Sequence, residues 1–150
     1  MTTGFSCLGR ASAMVLATLL VASVSAAEIG QIKVSNGQVT VERKGESRPG
    51  TVGTRLESSD VVRTGAAGSV GITMADNSLL SAGPNSILSL DRFDFDPTSN
   101  QGRFDAQLQK GSLAVISGRI AKQSPEAMTV RTPSAILGVR GTEFVVAADD

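Results

Sequence analysis

The sequence contains no histidine, no tryptophan and no tyrosine, and its single cysteine is Cys7. Without imidazole and with one thiol, histidine-based acid–base chemistry, thiol pairs and disulfide staples are excluded. The five phenylalanines are the whole aromatic inventory, so flat stacking platforms for sugars or bases are scarce. Nor is there an excess of either charge: 14 basic residues balance 14 acidic ones, which leaves no electrostatic attraction for nucleic acid.

One long apolar run is present, and it lies at the beginning. A single positive charge, Arg10, precedes Ala11–Val24, interrupted only by Ser12, Thr18 and Ser23, and the small residues Ser25-Ala26-Ala27 follow. That is the architecture of a signal peptide over residues 1–27, with cleavage expected after Ala27, and the run is short for a membrane span. Cys7 precedes the run instead of following it, which is the wrong place for a lipid acceptor. Removing Arg10 leaves 13 basic against 14 acidic groups, a net charge of −1. Residues 28–150 are then one domain, periplasmic or secreted, with no stable membrane insertion after cleavage. Its core must be built from Val, Ile, Leu and Ala around Phe93, Phe95, Phe104 and Phe144.

From Ile32 onward apolar residues recur at every second position, the period of a strand with one buried face. Ile32/Val34, Val39/Val41, Val70/Ile72/Met74, Leu88/Leu90, Phe104/Ala106/Leu108, Leu113/Val115 and Met128/Val130 follow it, and no stretch after Ala27 sustains a helical period. The expected class is all-β, a short rolled sheet or solenoid-like β-sandwich after an N-terminal signal helix.

Turn formers punctuate the strands. Asn36-Gly37 predicts a tight hairpin between Ile32–Ser35 and Gln38–Arg43, and Asp76-Asn77 predicts another between Ile72–Met74 and Leu79–Ser81. Gly83-Pro84-Asn85 breaks the chain before Ile87–Leu90. Lys44–Gly53 and Asp96–Gly102 read as surface loops. A short unit recurs at Gly68-Ser69-Val70, Asn77-Ser78-Leu79, Asn85-Ser86-Ile87 and Gly111-Ser112-Leu113, and reads as repeated turn-plus-strand geometry.

Three segments resemble the FecR-type periplasmic domain: Gly53 to Gly65, Ser69 to Leu90, and Thr132-Pro133-Ser134-Ala135-Ile136-Leu137-Gly138-Val139-Arg140-Gly141-Thr142-Glu143-Phe144-Val145-Val146, the family's signature strand. Ser59 and Asn77 stand where the family has glycine, which matters for Ser59 only if that position needs positive φ. The resemblance implies a binding or scaffolding module in the bacterial envelope whose partner is an envelope or membrane protein. A soluble relative of FecR-type sensors, acting in sigma-factor or iron-uptake signalling through a separate membrane protein, is an alternative. Glycan or matrix attachment is another, against which the missing aromatics argue. Relatives continue into another strand pair after the position of Asp149-Asp150, so the expectation is either that Phe144–Ala147 leaves an open edge available for homo-oligomers or that the chain is a truncated form.

The candidate partner-contact residues are Asp60, Gly138, Arg140, Gly141, Thr142 and Glu143. Arg140 either offers paired donors to a carboxylate or phosphate, or is itself held by Asp60, Glu143 or strand-end carbonyls. Asp94, Asp96, Thr98 and Asn100 superficially suit calcium, but their spacing fits a solvated hairpin tip, and no metal or cofactor is expected. No Ser-x-x-Lys or Gly-x-Ser-x-Gly occurs in residues 28–150, so no enzyme is expected.

Overall fold

The computed structural model describes residues 2–4, 26–139 and 143–149. The expected signal helix lies almost wholly outside them. Among the described residues no helix is long and apolar enough to cross a membrane.

Twelve strands follow the chain: β1 (Gly30–Asn36), β2 (Val39–Arg43), β3 (Glu46–Pro49), β4 (Arg55–Leu56), β5 (Val61–Thr64), β6 (Ser69–Met74), β7 (Leu79–Ala82), β8 (Ile87–Phe95), β9 (Gly102–Ile116), β10 (Met128–Arg131), β11 (Ile136–Gly138) and β12 (Glu143–Ala148). They join into one rolled sheet with the path β3-β2-β5-β8-β9-β7-β6-β1-β4, to which β10, β11 and β12 attach beside β9. The expected all-β class holds.

β9 belongs to two wings. Its first half pairs with β8 and, in parallel, with β10; its second half pairs with β7 and β12, both antiparallel. Inward residues of both wings, among them Ile32, Ile72, Leu88, Phe104 and Leu113, form a single buried cluster. Phe104 is fully buried with its ring edge-on to Phe93 at 5.3 Å. Such burial contributes about 1.5–3 kcal/mol per large side chain.

The passage between wings falls at Gly111, whose φ is +90°. A Cβ there would sit 2.2 Å from Ser86 Oγ and 2.5 Å from Ser86 Cα, so both the left-handed backbone and the close approach require glycine. The Ser86 hydroxyl accepts the Ser112 N–H at 3.0 Å and lies 3.2 Å from the Ser112 carbonyl, pinning the crossing.

Three expectations are corrected. Asn36-Gly37 does not close a hairpin: β1 pairs with β4 and β6, β2 with β3 and β5, and the turn carries the chain between wings. Turn chemistry sets local dihedrals, here φ +63° at Gly37, but which edges pair is decided by core burial. Lys44–Gly53 is not simply a loop, because Glu46–Pro49 pairs as β3; both its faces are exposed, so no alternation betrayed it. A short helix, α1 (Arg119–Gln123), and a 3₁₀ turn (Pro125–Ala127) interrupt the strands. They lie in the β9-to-β10 connection, where parallel neighbours need a crossover that a tight turn cannot provide.

Other readings stand. Asp76-Asn77 closes the β6–β7 hairpin with Asn77 at φ +66°, and Asn85 breaks the chain at φ +53°. Asp96–Gly102 caps the β8–β9 hairpin, with Phe95 opposite Gly102.

Candidate functional site

Asp60 is fully buried in the turn before β5, and its carboxylate is consumed locally. Arg43, at the end of β2, donates from Nε to Asp60 Oδ1 at 2.8 Å and from Nη2 to Oδ2 at 2.7 Å, while the Glu57 N–H donates to Oδ2 at 2.9 Å. Arg43 Nη1 reaches Glu57 Oε1 at 2.7 Å. The hydrogen bond to Asp60, opposed by burial and helped by both carboxylates, raises the Arg43 pKa above its ordinary value. A paired, desolvated guanidinium of this kind holds a turn. Ser59 beside it has φ +73°, so this is a position where glycine would be at ease.

A second buried knot surrounds Asp76, also fully buried. Its carboxylate accepts the Ser78 N–H at 3.0 Å, the Ser78 hydroxyl at 2.8 Å and the Ile120 N–H at 3.3 Å. Ser78 Oγ in turn accepts the Gly118 N–H at 2.9 Å, tying the β6–β7 hairpin to α1. The recurring Asn-Ser unit thus has a physical basis in two of its copies: Asn77 and Asn85 take left-handed backbone, and the following Ser78 and Ser86 are buried braces.

The polar tip between β8 and β9 satisfies itself. Asp96 accepts the Thr98 N–H at 2.9 Å and the Ser99 hydroxyl at 3.1 Å, and these bonds lower its pKa, the Thr98 backbone bond most. Asp94 pairs with Arg92 at 2.7 Å. A wide groove of about 720 Å³ runs between Ile29, Ala75, Phe93 and Phe95 on its apolar side and Glu28, Asp94 and Asp96 on its polar side.

What remains available for contact is β12 and the face it belongs to. β12 pairs with β9 along one edge, from Glu143 opposite Ile116 to Ala148 opposite Gly111, and its other edge has no strand partner among the described residues. Phe144, Val146 and Ala148 point to the core side; Glu143, Val145 and Ala147 are exposed. Val145 is 71% exposed. The strand has none of the lysines or prolines that commonly guard an edge.

Of the residues singled out from sequence, Glu143 opens β12 and Gly138 ends β11, both exposed, whereas Asp60 is buried in the other wing against Arg43. Arg140, Gly141 and Thr142 lie outside the described residues. In the sequence Arg43 is legible only as the last residue of a strand, and the outward apolar positions Leu79, Ile116 and Val145 carry no signal of their own. Counting inward residues alone hides the chemistry of the opposite face.

The FecR protein family model matches residues 60–150, more than half of the chain, beginning at the buried Asp60. A solved structure described as a cell surface anchoring domain is 34% identical with a TM-score of 0.39, covering 41% of this chain and 82% of that one. No curated protein matches. The extent of the family match, running from Asp60 through β12, establishes that this chain belongs to the FecR protein family.

Proposed function

We propose that this protein is an exported, non-catalytic FecR-domain module that binds or scaffolds a protein of the bacterial envelope through the free edge of β12. The observation that carries the reading is the edge itself: β12, Glu143–Ala148, is bonded on one side to β9, has no strand on its other side among the described residues, and has no lysine or proline along its length. Such an edge accepts an extended segment through main-chain hydrogen bonds, with side chains on alternate positions selecting the partner.

The composition supports a binding role over turnover. The chain has no histidine, and the buried carboxylates of Asp60 and Asp76 are spent on structure. On the β8–β9 hairpin Arg92 pairs with Asp94, and Asp96 is held by the Thr98 N–H and the Ser99 hydroxyl.

The test is site-directed photo-crosslinking in cells that produce the full chain. A photoreactive residue replacing Ala147 is expected to capture one envelope protein, and one replacing the exposed Arg63 on the other wing is not. Identical adducts from both positions, or none from Ala147, would sink the edge as the binding element.

A further inference from the structure

The outward face of the wing that contains β12 carries a surface whose pattern the β12 edge does not explain. Across five adjacent strands, cross-strand partners line up as Val34, Gly71, Ser81, Ala114 and Val145. The next row is Gln31, Thr73, Leu79, Ile116 and Glu143. Within the wing interior these positions carry no charge. Small side chains make the floor of a trough of about 400 Å³, and larger ones rise around it. Val34, Leu79, Ile116 and Val145 are 51%, 43%, 42% and 71% exposed. Isolated exposed aliphatics are ordinary, but four on one contiguous uncharged face mark a contact surface.

Among the described residues charge enters only at the two ends. Lys33, the extra residue at the β1 irregularity, lines one end of the trough, and Glu143 lines the other. Among the described residues Glu143 makes no ion pair. With β7 as the central strand of the five, a two-fold axis lying along β7 superposes this face on itself. Gly71 then meets Ala114 of the second copy, Val34 meets Val145, Ser81 and Leu79 meet their own counterparts, Thr73 meets Ile116, and Gln31 meets Glu143, which brings Lys33, whose Nζ donates to Gln31 Oε1, within reach of the Glu143 carboxylate. Val34, Leu79 and Val145 find apolar counterparts, Ile116 faces Thr73, and Lys33, held at Gln31, faces the Glu143 end of the second copy.

We infer that a second copy of this chain docks face to face on this surface, stacking the two β12 wings as aligned sheets. Aligned stacking is an ordinary geometry for two sheets, with faces about 10 Å apart and strands within about 30° of parallel. The small floor of Gly71, Ser81 and Ala114 permits that approach, and an isologous contact requires self-complementarity of this kind. An anionic lipid surface is a poor occupant, since among the described residues Lys33 is the one cation lining the trough. A small polar ligand would find few polar groups converging there.

The experiment is sedimentation equilibrium on the protein in its cell-processed form, with thermal unfolding of each variant as a fold control. The wild type is expected to be a dimer at micromolar concentration. Leu79→Glu and Ile116→Lys are expected to be monomers that melt at the wild-type temperature. Lys33→Glu and Glu143→Lys should each weaken the dimer about tenfold, because each creates two like-charge contacts across the two-fold, and the double reversal should restore it. A wild type that stays monomeric overturns the proposal. So does a double reversal no tighter than either single change, or a dimer abolished by Ala147→Lys at the β12 edge but indifferent to Leu79→Glu.

Discussion

The two halves of β9 differ in what they show to solvent. Its first half turns Arg103, Gln107 and Gln109 out, with Asp105 buried beneath its bond to Arg103, while its second half turns out Ser112, Ala114 and Ile116. Neighbouring strands follow suit. Around the first half lie Glu42 with Arg63 and Arg92 with Asp94, paired at 3.0 and 2.7 Å. Around the second lie Val34, Gly71, Leu79 and Val145. Inward, the same strand contributes Phe104, Ala106, Leu108, Leu113 and Val115 to one core without interruption. A single strand thus serves one interior and two exteriors: a solvated face of ion pairs, and a face whose apolar side chains gain nothing within the monomer. The difference teaches where to look for contact, because water satisfies the first face and not the second.

The largest expected effect comes from breaking the polar wing at its buried anchor. Asp60→Ala strips Arg43 of its two-pronged partner, leaving Glu57 as its one carboxylate, and takes the acceptor from the Glu57 N–H; it should cost about 3–5 kcal/mol, read by urea denaturation. A cost below about 1 kcal/mol would mean that the pair does not hold the β4–β5 turn. Next is the junction that allows the two halves to differ. Gly111→Val places a branched side chain at φ +90° against Ser86 and should cost about 3 kcal/mol or more, with loss of cooperative thermal unfolding as the readout. Retention of the wild-type Tm would show that the crossing can move.

A smaller change of opposite sign is expected at Ser59. Its left-handed backbone, φ +73°, makes Ser59→Gly stabilising by about 0.5–1 kcal/mol in spite of the entropy that glycine adds to the unfolded chain. A decrease in the urea midpoint would refute the strain. The smallest effect belongs to Asp96 at the exposed tip of the polar wing. Its folded pKa is lowered below the ordinary 3.8, so its contribution is complete above that value and is lost as pH falls through the folded one. Proteolytic nicking of residues 96–102 should therefore increase below pH 3.8 while the β12 wing stays protected. An unchanged nicking rate, or Asp96→Asn nicked no faster than wild type at pH 6, would contradict this.

Much of the fold is legible from alternation. Val70/Ile72/Met74 and Leu113/Val115 are buried strands because period-two burial is a local property, written where the residues stand. The turn at Asp76-Asn77 was readable for the same reason, since asparagine tolerates left-handed backbone. The candidate site was less legible. Asp60 was singled out, but its partner Arg43 lies 17 residues away and meets it through the β2–β5 pairing, which no local pattern announces.

By itself the sequence determined the all-β class and the lack of imidazole and thiol chemistry after residue 27. These follow from composition and nearest-neighbour stereochemistry, which need no knowledge of the rest of the chain. Only the tertiary structure decided that Asn36-Gly37 joins wings instead of closing a hairpin, and that Val34, Gly71, Ser81, Ala114 and Val145 share one face. Those outcomes depend on register between strands far apart in sequence, and register is set by the total apolar surface the fold can bury.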